Sequence, residues 1–389
     1  MQQQAKIEEP FRVGISGSYG GLNLGDEAIL ESIISQLMQS VPVEITVFSR
    51  DPEDTRRRHP QVARAIPVRD LARSDVLPEI ERLDLFILGG GGILFDDEAK
   101  IYLREVELAL EKKIPVLVYA VGVGPLKTPE AQALVRDRLN AVDAVTVREA
   151  QALKLLEEIG VKREVLVTSD PAFLLQPEEL PPNTLEREGL EAAPRLIGMS
   201  VREPGVAAPD IDEKVYHRLL ANAADFMVER FDANVVLVPM EPKMLDTRHC
   251  HAVISQMLRA QRATVLKGDY SAGQLLSLVG KFSFAVGMRL HFLIFAALQG
   301  VPFVALPYSS KVEGFLADME MVTPPLHLVN EGRLMAHIDS NWDQRESLQT
   351  RINLKLPELK QRARQTNEIA VRLLMERRQR VGVSSRGGR

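Results

Sequence analysis

Short apolar runs alternate with amphipathic stretches along most of the chain. Phe11 to Ser16, Val43 to Phe48, Leu83 to Leu88, Val116 to Val121, Ala144 to Val147 and Val165 to Thr168 have the length and apolar content of strands. Between them, Glu27 to Met38 sets Ile29, Ile33, Ile34 and Leu37 on one helical face. Further helices are predicted near Pro52 to His59, Ala99 to Lys112, Pro129 to Ala141 and Arg148 to Ile159. Strands that are apolar on both faces, separated by amphipathic helices, predict a parallel sheet covered on both sides. The alternation breaks at Gln176 to Ala193, where Pro177, Pro181 and Pro182 lie among acidic residues. It restarts with strands at Arg195 to Val201, Val235 to Val238, Ala263 to Leu266, Phe282 to Val286 and Phe303 to Leu306, with a helix over Lys214 to Arg230. Asn353 to Arg380 reads as one long helix. The expected fold class is α/β, with two Rossmann-like doubly wound domains facing a cleft. The expected limits are residues 1–176, a linker 177–194, residues 195–345, a terminal helix 346–380 packing back on the first domain, and a disordered tail 381–389.

Composition narrows the class. A chain of 389 residues exceeds one ordinary core. Its single cysteine, Cys250, excludes an internal disulfide framework and fits a reducing compartment. Met1 to Pro10 is polar and acidic, unlike a secretion signal, and no apolar run reaches the length of a membrane span. The net charge of −5 is unevenly spread: Arg351 to Arg389 holds 11 Lys/Arg against 3 Asp/Glu, hence +8, leaving −13 elsewhere. The basic segment is either a solvated helix face or a contact for anionic lipid or a lipid-linked phosphate. An acidic body without a basic, aromatic-lined face argues against nucleic acid.

Candidate chemistry sits where strands end, as ligands do in doubly wound sheets. Val286-Gly-Met-Arg289-Leu290-His291 leads from a strand through a glycine into an apolar helix. Such a helix N-terminus attracts anions, an arginine fork matches carboxylate or phosphate, and a histidine moves protons near neutral pH. Ser200-Val-Arg202 repeats the strand-then-arginine order, and Lys311 follows the strand ending at Leu306. In the first half, Gly14 to Asp26 is a glycine-rich loop without dinucleotide or P-loop spacing. It is either a tight turn with Asn23 as cap, or a sugar-binding loop presenting Tyr19, Asn23 and Asp26. Gly89 to Gly92, including Gly90 and Gly91, implies close backbone approach by a ligand or a neighbouring loop. Arg148 and Asp170 also follow strands, and Asp170 either caps a turn or faces the cleft. Asp246-Thr-Arg-His249-Cys-His251 has ligand-type residues but no zinc spacing, so no metal is expected.

Taken in order, these segments resemble the polysaccharide pyruvyl transferase family, particularly its bacterial cell-wall branch. The matching pieces are Asn23-Leu-Gly-Asp-Glu-Ala-Ile-Leu30, Gly89 to Leu94, Gly122 to Leu126, Thr146-Val-Arg-Glu149, Ser169 to Leu175, Ser200-Val-Arg202, Gly287-Met-Arg-Leu-His291, Gly300-Val-Pro302 and Tyr308 to Phe315. Ser18-Tyr-Gly-Gly21 departs from the pattern, where more bulk is usual.

The resemblance implies a GT-B-like architecture in the cytoplasm, at the inner face of the membrane where the acceptor is lipid-linked. It implies phosphoenolpyruvate as donor, no cofactor, and a saccharide acceptor that receives pyruvate as a cyclic ketal. On this reading Arg289 and Arg202 hold the donor in the second domain, with Lys311 in support, and Leu290 and Arg148 are further substrate-binding residues. His291 contacts the donor or transfers a proton, and Asp26 or Asp170 is the base. Tyr19, Asn23, Gly90 and Gly91 line the acceptor side. A nucleotide-sugar glycosyltransferase is the alternative that the same residues allow.

Overall fold

A computed structural model describes residues 9–21, 23–68, 71–191, 194–203, 212–241, 245–306, 310–321 and 329–386. The chain divides into two compact units. The first comprises Met1–Gly21, Ile29–Leu174 and Lys360–Arg389; the second comprises Leu22–Ala28 and Leu175–Leu359. No described helix is long and apolar enough to cross a membrane.

In chain order the first unit contains β1 (Phe11–Ser16), most of α1 (Leu24–Ser40), β2 (Val43–Ser49), α2 (Pro52–Arg58), β3 (Arg64–Pro67) and α3 (Arg73–Glu81). It continues with β4 (Leu85–Gly89), β5 (Gly92–Leu94), α4 (Asp96–Glu111), β6 (Val116–Val123), α5 (Pro129–Ala141), β7 (Ala144–Val147), α6 (Ala150–Glu158) and β8 (Val165–Val167). The sheet order is β3-β2-β1-β4-β6-β7-β8, with β5 alongside β6. Every pairing is parallel, as in Val13 opposite Leu85 and Leu88 opposite Val118. β4 and β6 are buried along their whole length, because helices cover both faces. Sequence periodicity does not reveal β3, whose residues Arg-Ala-Ile-Pro are only partly buried at the sheet edge. Nor does it reveal β5, which lies within the glycine run.

The second unit adds the short helix α7 (Thr184–Arg187), β9 (Leu196–Ser200), α8 (Glu213–Phe231), β10 (Asn234–Leu237), α9 (Leu245–Ile254), β11 (Ala263–Val265) and α10 (Ala272–Val279). Then follow β12 (Phe284–Gly287), α11 (Leu290–Leu298), β13 (Phe303–Ala305), α12 (Ser310–Asp318), α13 (Glu331–Asp343) and α14 (Arg345–Arg386). Its parallel sheet runs β11-β10-β9-β12-β13. Ile197, Met199, Phe284 and Val286 fill its core against Tyr216, Ala224 and Met227 of α8.

Three expected boundaries change. The segment read as a linker belongs to the second unit. There Glu178 accepts from Ser271 Oγ at 2.6 Å, and Glu188 accepts from Tyr270 OH at 2.7 Å and from the Lys267 and Gly268 amides. Prolines shaped this segment without freeing it. The terminal helix begins at Arg345 and divides between the units after Leu359. Its backbone stays helical to Arg386, where a disordered tail had been expected from Val381; residues 387–389 lie outside the described residues.

Polar contacts fasten the second part of α14 to the first unit. Thr366 Oγ1 lies 3.0 Å from Thr168 Oγ1, and Asn367 Nδ2 donates to Ser40 Oγ at 2.9 Å. Arg362 donates to the Thr168 carbonyl at 2.7 Å, and the Arg378 guanidinium stacks 3.6 Å from the Phe11 ring centroid. Several charges of the basic segment therefore serve packing. Ala363, Ala370 and Leu374 are fully buried. Leu374→Ala should lower the stability of this unit by about 2–5 kcal/mol. The same change at the more exposed Met375 should alter it little, with urea unfolding as the measure.

Candidate functional site

The site is organised by the turn between β12 and α11. β12 lies between β9 and β13, with Gly287 opposite Ser200 and Ala305. A Cβ on Gly287 would sit 2.6 Å from the Phe292 ring, so only glycine lets the new helix fold back this closely. α11 is Leu-His-Phe-Leu-Ile-Phe-Ala-Ala-Leu, with His291 its one half-buried polar residue. Arg289 is its N-cap, and its side chain makes no capping bond. The positive end of the helix dipole lies at this turn, where it favours negative charge.

Arg289 itself is turned inward. Its Nε donates to Asp246 Oδ2 at 2.9 Å, Nη2 donates to Asp246 Oδ1, and Nη1 donates to Glu241 Oε1 at 3.1 Å. Asp246 is fully buried on α9 and also accepts from the Met240 and Glu241 amides at 3.1 Å each. A fork expected to grip a donor anion is therefore filled by a protein carboxylate. Burial makes this pairing obligatory, since an unpaired guanidinium here would lose its hydration without compensation.

Glu241 passes the bracket on to the start of α1. Asn23 Nδ2 donates to Glu241 Oε1 at 2.8 Å, Asn23 Oδ1 accepts from the Gly25 amide at 2.9 Å, and the Leu24 amide donates to the Met240 carbonyl at 2.9 Å. The His291 ring lies directly on Gly25: a Cβ there would sit 2.0 Å from His291 Nδ1. Asn23 and Asp26 thus belong with Arg289 and His291 in the second unit, not with the acceptor-side loop where the sequence had placed them. Asp26 is half-buried in the first turn of α1. Leu290 is buried and serves packing.

Two further cations expected at the donor belong to the same unit. Arg202 follows β9, pairs with Glu203, and its carbonyl accepts from Tyr216 OH at 2.8 Å. Lys311 is half-buried in the first turn of α12. Tyr308 lies outside the described residues.

The remaining candidates are framework residues of the first unit. Arg148 Nη1 donates to Asp170 Oδ2 at 2.6 Å, and Nε donates to Glu149 Oε2 at 3.1 Å. Asp170 Oδ1 accepts from the Ala172 amide at 2.9 Å, so both oxygens are engaged at 4% exposure. Burial by itself would lower the Arg148 guanidinium; the two carboxylates outweigh it and raise its pKa above the usual arginine range. This is a buried ion cluster, and the base role considered for Asp170 does not fit it. Tyr19, expected on a sugar, is 1% exposed and packs on Gly17 and Gly89. Gly90 has φ +41°, and a Cβ there would sit 2.0 Å from Ile29. Gly91 has φ +79°, and its carbonyl accepts from the Gly122 amide at 2.8 Å. The glycine run thus accommodates neighbouring chain.

Sequence reasoning missed Glu241 and the pairing of Asp246. Both lie far from Arg289 along the chain and carry no motif. It also missed a pocket of about 390 Å³ in the first unit, at the carboxyl ends of β1 and β2. Ser16, Gly17, Phe48, Arg50, Lys100 and Tyr102 are among its lining residues. Arg50 Nη2 donates to Tyr102 OH at 2.5 Å across it.

Two parallel-sheet, Rossmann-like units define an α/β fold of GT-B-like type. MnaA of S. aureus, solved with UDP, superposes with a TM-score of 0.65 at 11% identity, over 93% of this chain and 95% of its own. The UDP-GlcNAc 2-epimerase of Neisseria meningitidis, solved with UDP-GlcNAc, gives 0.59 at 11% identity, over 93% and 99%. At such identities the likeness concerns the fold. The profile of the polysaccharide pyruvyl transferase family matches residues 23–310, and the chain belongs to that family. The amylovoran biosynthesis protein AmsJ of Erwinia amylovora is 22% identical over 88% of this chain and 94% of AmsJ. The activity that comes with the family is pyruvyl transfer onto a polysaccharide.

Asp246→Asn should destabilise the second unit by about 3–5 kcal/mol, because it removes the buried counter-charge of Arg289 and leaves only the partly exposed Glu241 to pair with it. Adding Arg289→Met should recover part of that loss in chemical denaturation. Equal stability of the single variant and the parent would refute the bracket.

Proposed function

We propose that the protein transfers pyruvate from phosphoenolpyruvate to a sugar of a surface-polysaccharide precursor, forming a cyclic ketal and releasing phosphate. The observation that carries this reading is the packing of His291 on Gly25. It joins the N-terminus of α11 to the Asn23–Asp26 turn within one unit. The positive end of a helix, an imidazole and a carboxylate then belong to one locality.

The donor bears a carboxylate and a phosphate. With Arg289 held by the buried Asp246, the cations assigned to the donor are Arg202, whose partner Glu203 is partly exposed, and Lys311, together with the positive end of α11. His291 protonates the methylene carbon, and Asp26 takes the proton of the first sugar hydroxyl as its oxygen bonds to the adjacent carbon. Phosphate then leaves with the C–O bonding pair. A second hydroxyl closes the ring, and its proton goes to the released phosphate. Arg289 is a positioning residue that fixes Glu241 and Asn23.

The saccharide acceptor is assigned to the first unit. Its pocket offers Arg50 and Lys100 as hydrogen-bond donors to sugar hydroxyls. A phosphoenolpyruvate-dependent reaction belongs in the cytoplasm, where that donor is made.

The test is mass spectrometry of saccharides after incubation with phosphoenolpyruvate, coupled to phosphate release. A pyruvate adduct is expected. Sugar transfer from a UDP-sugar without any adduct would replace this reading with a glycosyltransferase. His291→Ala should lower kcat about 100-fold or more with the fold intact. Arg50→Ala with Lys100→Ala should raise the acceptor KM about tenfold at an unchanged KM for phosphoenolpyruvate, which corresponds to about 1.4 kcal/mol.

A further inference from the structure

A second group of reactive side chains lies in the second unit and plays no part in the mechanism above. Glu213 and His217 are one turn apart on α8, and His249 is on α9. One ligand atom from each lies within 4.8 Å of the other two. His217 Nε2 and His249 Nδ1 are 2.8 Å apart although 32 residues separate them in sequence. Both histidines are buried, at 4% and 3% exposure, whereas the Glu213 carboxylate reaches solvent.

We propose that Glu213, His217 and His249 form a binding site for a divalent transition metal, zinc being the ion that suits two imidazoles and a carboxylate. Three protein ligands would leave one position for water. Zinc–nitrogen bonds of about 2.0–2.1 Å in a tetrahedral site set the two nitrogens about 3.3 Å apart. The pair therefore opens by about 0.5 Å, replacing one shared proton with the ion. Glu213 must leave Arg248, a 3.7 Å pair whose side chains are 50% and 72% exposed, and such a contact is weak.

The ion would act on the donor side without touching it. His249 is one turn beyond Asp246, the residue that holds Arg289. His217 adjoins Tyr216, whose hydroxyl bonds the Arg202 carbonyl and touches Met288. Joining α8 to α9 at this point fixes the supports of Arg202 and Arg289 together. Zinc binding is independent of the reaction proposed above, so either can fail alone.

The experiment is calorimetric titration of the untagged, chelator-treated full chain with zinc chloride, with thermal unfolding read in parallel. The parent should bind one equivalent and gain several degrees in Tm. Glu213→Ala, an exposed change, should weaken binding at least tenfold without altering the metal-free Tm. His217→Gln with His249→Gln should abolish binding. Cobalt should give the intense visible bands of a tetrahedral site. Absence of stoichiometric zinc binding by the parent, or equal binding by the double variant, would overturn the proposal.

Discussion

The second unit depends on one desolvated ion pair. Arg289 meets both oxygens of Asp246 where neither is solvated, and two backbone amides complete the carboxylate's shell. That arrangement fixes the N-cap of α11, the loop after β10 and, through Glu241, the turn that begins α1. A buried charge contributes little net stability. Its value here is geometric, because each partner has one low-energy placement and the other groups follow it.

Two helices serve both units. α1 begins with residues that pack in the second and continues with Ile29, Ile33 and Leu37 buried in the first. α14 does the reverse, leaving the second unit after Leu359 and burying Ala363 and Leu374 in the first. Helices suit this use, since their backbone hydrogen bonds are internal and the chain can leave one core for another without orphaned groups. Amphipathic pattern alone does not show such a change of partner, because either core wants the same apolar stripe.

Glycines were easy to notice and harder to interpret. Gly90 could have admitted a ligand or a neighbouring loop, and Ile29 takes the space; at Gly122 the side chains of Arg148 and Glu149 do. Gly25 passed as part of a loop, yet it is the floor on which His291 lies. Both kinds of glycine lack a side chain for the same steric reason. Only the identity of the neighbour separates a packing role from a site role.

Alternating apolar strands and helical stripes determined, from sequence alone, the α/β class, the two parallel sheets and the position of His291 at a strand end. Those features follow from local periodicity and from the burial of both sheet faces. Tertiary structure decided the partners: Asp246 for Arg289, Arg148 for Asp170, Gly25 for His291, and a core position for Tyr19. Each pairing joins residues distant in the chain, and no spacing encodes whether a charged side chain will meet a ligand or another residue. Which arginine remains available to a substrate is settled by where its counter-charge is buried.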